Sequence, residues 1–145
     1  MPVDLGIPYA PDWRGAPPHM SSLDQPLWER FQAAYGSEYI SFFFDASLGT
    51  PSAVPPGTEA NLSKMWSRIT SKRMDVVARK AEEWWILEMR PNASSGALGT
   101  IITYRDLWLA DPPDDKPLKS AIVTDVPDPD LLILARKHDI DIIVV

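Results

Sequence analysis

The apolar positions of this chain change period several times, and each change marks an element. Leu27, Trp28, Phe31, Ala34 and Tyr35 recur at helical spacing after Asp24 and Pro26, and Gly36 supplies a stop, so the pattern predicts a helix. The aromatic run from Tyr39 to Leu48, bounded by Gly36 and Gly49, reads as a strand. Residues 50–57 carry three prolines and form a loop. Thr58 can cap a helix whose apolar face is Leu62, Met65, Trp66 and Ile69. Two strands, 73–79 and 84–90, are joined by the short polar Lys80-Ala-Glu-Glu83 connection, which favours antiparallel pairing.

Beyond Pro91 and a small-residue loop, Leu98, Ile101, Ile102, Arg105 and Trp108 continue as a helix. Residues 110–117 are an acidic, proline-rich loop, and 121–124 are a short buried strand. Asp128-Pro129-Asp130 combines a cap, a proline at the first helical position and an acid at the positive end of the dipole. Residues 140–145 close the chain as a strand. The alternation of elements implies the α/β class: a central mixed sheet flanked by helices.

Proline modifies this picture at the N-terminus. Five of the 15 prolines fall between Pro2 and Pro18, which excludes a helix or a central strand there. Residues 1–22 are therefore expected to be an extended arm, and 23–145 the folded domain. Tyr9 and Trp13 are too apolar for a spacer and are candidates for anchoring the arm on a protein surface, its own domain's or a neighbour's. Trp28, on the peripheral first helix, is a third candidate for partner binding.

Composition removes several classes of function. With no cysteine, disulfide scaffolds, thiolate metal sites and cysteine nucleophiles are excluded. His19 and His138 are the two histidines and lie far apart in sequence, which argues against a histidine-rich zinc site. A formal charge of −6 argues against a general nucleic-acid coat. No run approaches the roughly 18 apolar residues of a membrane span, and the start lacks the pattern of a signal peptide. The expected location is the cytoplasm or a particle such as a virion. A basic stretch, Lys64, Arg68, Lys72, Arg73, Arg79 and Lys80, leads into the first hairpin strand, and its commoner reading is a solvated face.

One constellation can carry chemistry. Alternation along 84–90 puts Trp84, Ile86, Glu88 and Arg90 on one face and Trp85, Leu87 and Met89 on the other. Asp75 sits on the neighbouring strand, where the hairpin can bring it beside Glu88. Two adjacent carboxylates suit a hard divalent ion such as Mg²⁺, and a cation two residues on can face a scissile phosphate. The same three residues can instead form a structural ion-pair cluster, which spacing alone favours.

The pattern Asp75-x12-Glu88-x-Arg90, followed by a loop and the helix Gly99-Thr-Ile-Ile-Thr-Tyr-Arg105, resembles the PD-(D/E)XK restriction-endonuclease-like superfamily of phage and bacterial type. The resemblance implies a core of order αβββαβ. Leu27 through Thr124 fit it if the 58–69 helix is an insertion, leaving the arm and the last helix–strand pair as additions. It further implies a Mg²⁺-dependent deoxyribonuclease site with Asp75 and Glu88 as metal ligands and Arg90 and Tyr104 in supporting roles. Members often carry Glu-x-Lys and Gln-x-x-x-Tyr. Here Arg90 stands for the lysine and Thr100 for the glutamine, so the site is degenerate. Arginine stays protonated at working pH and cannot act as a base on water.

Two functional classes follow. The first is a non-catalytic interaction or assembly protein on a degenerate nuclease-like fold, needing no cofactor and acting as an oligomer or with protein partners. Such a chain would suit a phage virion, for example the head–tail connector or neck. The second is a Mg²⁺-dependent DNA endonuclease using Asp75, Glu88, Arg90 and Tyr104. An open, positive groove beside the two acids favours the enzyme, and a covered or acidic site favours the assembly protein.

Overall fold

The computed structural model describes residues 3–49, 56–63 and 72–145. Their elements are α1 (Gln25–Tyr35), β1 (Ser41–Leu48), β2 (Lys72–Arg79), β3 (Trp84–Met89), α2 (Ser95–Ala110), β4 (Leu118–Thr124), α3 (Pro129–Lys137) and β5 (Asp141–Val144). The chain is an α/β protein, and its five strands form one mixed sheet in the order β1-β2-β3-β4-β5. The β1–β2 and β2–β3 pairs are antiparallel, while β3–β4 and β4–β5 are parallel. Two-strand antiparallel steps need only tight turns, and Lys80 N–H closes one by donating to Glu83 O at 2.9 Å. The parallel steps need crossovers, which α2 and α3 supply.

Residues 60–63 are helical, as expected for the start of the 58–69 helix. The remainder of that helix, including Met65, Trp66 and Ile69, lies outside the described residues, as do Lys64 and Arg68 of the basic stretch. Asp24 precedes α1 but does not cap it: its own backbone is already helical, and its N–H instead donates to Ser21 Oγ at 3.2 Å. Asp128 caps α3 as its sequence suggests, accepting from Asp130 N–H at 2.8 Å.

Both faces of the sheet are buried. On one face α1 packs Leu27, Trp28 and Phe31 against Phe42, Phe44, Val76, Leu87 and Met89. On the other, α2 and α3 pack Ile101, Trp108 and Leu131 against Phe43, Val77, Trp84, Ile86 and Ile122. The opposite-face assignment along β3 explains why its apolar run is nearly unbroken. Trp28 is 1% exposed, meets Phe42 and Phe44 edge-on and packs at a tilt against Phe31. It is a core residue, so the expectation that it meets a partner is corrected: the first helix is an outer layer, but its apolar stripe faces inward.

The arm lies on its own domain. Tyr9 and Phe42 exchange backbone hydrogen bonds of 2.7 and 2.9 Å, and Asp4 and Ser47 exchange a second pair of 2.9 and 3.0 Å. The arm thereby satisfies the outer edge of β1 at two points without becoming a continuous strand. Tyr9 packs edge-on against Trp13 and Phe44, with ring centroids 4.7 and 5.0 Å apart. Gln32 of α1 holds the arm's turn by donating to the carbonyls of Pro11 and Trp13. Tyr9 and Trp13 are thus half-buried anchors within the chain, where a neighbour's surface was the other expectation.

Candidate functional site: an arginine-held acidic pair

A slip in phase along the first two strands creates the site. Phe43 and Val77 face the α2 layer and Phe44 and Val76 face α1, as alternation requires. Ala46 and Met74, two positions further on, should share the face of Phe44 and Val76 but face α2 instead. Between these pairs lie Asp45 and Asp75. Asp45 has φ = 55°, a left-handed backbone that turns the strand by the missing step. The side chain of Arg73 steadies this kink, its Nη1 lying 3.0 Å from Asp45 O and 3.2 Å from Asp45 Oδ2.

The β2–β3 ladder runs to Val76↔Leu87. Beyond it, the Asp75 carboxylate takes the place of a backbone acceptor, receiving Met89 N–H on Oδ2 at 3.0 Å. Asp75 and Glu88 then share a side-chain hydrogen bond. Desolvation by burial, followed by the Glu88 charge and that hydrogen bond, pushes the Asp75 carboxyl up to about 9. At neutral pH the Asp75–Glu88 pair therefore holds one proton as a unit.

Glu88 is 4% exposed and is held by Arg90, whose Nη2 lies 2.6 Å from Glu88 Oε2. Arg90 is positioned by its own N–H, which donates to Val123 O at 2.9 Å and pins the end of β3 to β4. Tyr104 projects from α2 into the same environment. Burial raises its phenol above the ordinary value, and the charges of Glu88 and Asp75 raise it further, so it stays a neutral donor. The hairpin and α2 thus bring Asp75, Glu88, Arg90 and Tyr104 together. Thr100 does not join them through a hydrogen bond to the acids: its hydroxyl donates to Gly96 O one turn back, at 3.2 Å.

Two further residues border the site that the sequence pattern did not single out. Asp45 and His19 line a cavity of about 20 Å³ with Pro18, Met20 and Asp75, room for roughly one water. His19 Nε2 is 3.9 Å from Asp45 Oδ2. The end of the arm, Pro18 to Met20, therefore borders Asp75, which stays partly exposed. The signal was present as an Asp inside an aromatic strand, but only tertiary packing shows that the strand kinks there.

Mg²⁺ does not fit this pair as it stands, although two carboxylates are the right donor chemistry. One oxygen of Glu88 is committed to a guanidinium at contact distance, one oxygen of Asp75 accepts a backbone N–H, and the two acids share a proton. A cation would have to displace Arg90 from Glu88 and compete with that shared proton. Among the described residues, no helix is long and apolar enough to cross a membrane. No family model, curated protein or solved structure matches the chain.

Proposed function

We propose that this chain is a non-catalytic interaction or assembly protein built on a nuclease-like scaffold. One observation carries the reading: the buried Glu88 is held by Arg90 at 2.6 Å, and Pro18 and Met20 border the partly exposed Asp75. A phosphodiester needs an approach to both carboxylates and a cation free to face it, and Arg90 is instead spent on Glu88. The pair then serves the fold, joining the ends of β2 and β3 at the point where their backbone ladder stops. A phage particle is one setting that a small acidic subunit of this kind would suit.

The Mg²⁺-dependent endonuclease is the second reading. It is favoured by the convergence of Asp75, Glu88, Arg90 and Tyr104 on one end of β3, and by a sheet in which the strand after the crossover helix lies parallel to β3. Calorimetric titration of the full chain with Mn²⁺ separates the two. No heat of binding beyond dilution is expected. Saturable binding abolished by Glu88→Ala would favour the endonuclease.

A further inference from the structure

The two edges of the sheet are treated differently. The arm covers β1, whereas β5 is the opposite edge, and among the described residues nothing pairs with its outer side. Such an edge offers a row of backbone donors and acceptors to another strand. Beside it runs α3, whose outward face carries Leu132 and Ile133, 44% and 62% exposed. An open groove of about 460 Å³ lies between them, lined by Leu132, Arg136 and the backbone turn into Ile140–Ile143.

We propose that this face is a two-fold interface with a second copy of the same chain, β5 pairing antiparallel with β5 of the second copy. Charge complementarity favours this partner. Helix α3 has Asp130 in its first turn and Arg136 and Lys137 in its last, so the two ends bear opposite sign. A two-fold axis beside Ile133 sets two α3 helices antiparallel and brings Asp130 of each copy opposite Arg136 of the other, with the apolar Leu132 and Ile133 between. The strands obey the same axis. Nine helical residues span ~13 Å and four strand residues span ~13 Å. Because α3 turns back into β5, the midpoint of one lies beside the midpoint of the other. One axis thus pairs Asp141 with Val144 and Ile142 with Ile143 across the strands while matching the helix charges. Both partners present the same patch, as an isologous contact requires. The contact is separate from the acidic pair, so its failure would leave the reading of that pair unchanged.

The test is sedimentation equilibrium of the full chain in low salt, with three variants at exposed positions. Wild type should form a dimer in the micromolar range, and Ile133→Lys should raise the dissociation constant by about tenfold or more, as expected for the centre of an interface. Asp130→Lys and Arg136→Glu should each be monomeric alone, since each sets like charges across the axis. Mixed together they should form a heterodimer, which requires both to be folded. A monomeric wild type, a dimer indifferent to Ile133→Lys, or a mixture that stays monomeric would overturn the proposal.

Discussion

Nη2 of Arg90, just past the end of β3, lies 2.6 Å from Oε2 of Glu88 and neutralises that buried acid. The glutamate is almost fully buried, while the arginine side chain keeps 38% of its exposure. The pair is therefore anchored on its buried acid, and its removal acts mainly by stranding Glu88.

Arg90→Met leaves the buried carboxylate without its cation. Breaking a fully buried pair costs about 3–5 kcal/mol, and the partial exposure of Arg90 reduces this to about 1–3 kcal/mol. Urea denaturation at neutral pH should show that loss. Changing both residues, Glu88→Leu with Arg90→Met, should recover most of it. A double variant as unstable as the single one would show that the pair is held for more than charge balance.

Asp75 gives the fold a pH dependence of definite sign. Its carboxyl is raised in the folded state, so between the ordinary carboxylate value and about 9 the native chain holds a proton that the unfolded chain releases. Its contribution to stability is complete at low pH and is lost as pH rises through that window, with the proton belonging to the Asp75–Glu88 pair as a unit. Asp75→Asn keeps an acceptor for Met89 N–H and cannot ionise. Urea midpoints compared between mildly acidic and mildly alkaline buffer should fall less in this variant than in wild type; equal slopes would contradict the assignment.

The arm is a structural part of the domain. Removing residues 1–20 strips the hydrogen bonds on the edge of β1 and the aromatic cover of Phe44. A large fall in melting temperature is expected. Trp13→Ala alone, at a half-buried site, should cost about 1–3 kcal/mol, below the 3–5 kcal/mol of a fully buried tryptophan such as Trp28. A truncated chain that melts like wild type would show that the arm is only laid on the surface.

Much of this architecture is legible in the sequence because local signals agree. The Asp128-Pro129 start, the alternation along β3 and the short Lys80–Glu83 turn each specify one conformation. The hairpin register follows from them and sets Asp75 beside Glu88. What escapes is long-range. Trp28 looks peripheral because helical period shows an apolar stripe but not which layer it meets. Asp45 interrupts an aromatic run, but nothing local shows that its backbone turns left-handed there. The arm's docking depends on Gln32 and Phe42, far along the chain, which no local pattern links to Pro11 or Tyr9.

That Arg90 neutralises Glu88 and leaves the acidic pair inactive toward phosphodiesters is tested most directly by a cleavage assay. Wild-type protein is incubated with linear and supercoiled DNA in Mg²⁺ or Mn²⁺, alongside Glu88→Ala. No cleavage above the metal-free background is expected. The same is expected of Arg90→Lys combined with Thr100→Gln, since a lysine at 90 can still neutralise the buried Glu88. Robust cleavage by the wild-type chain, lost in Glu88→Ala, would contradict the account and establish the site as a working nuclease.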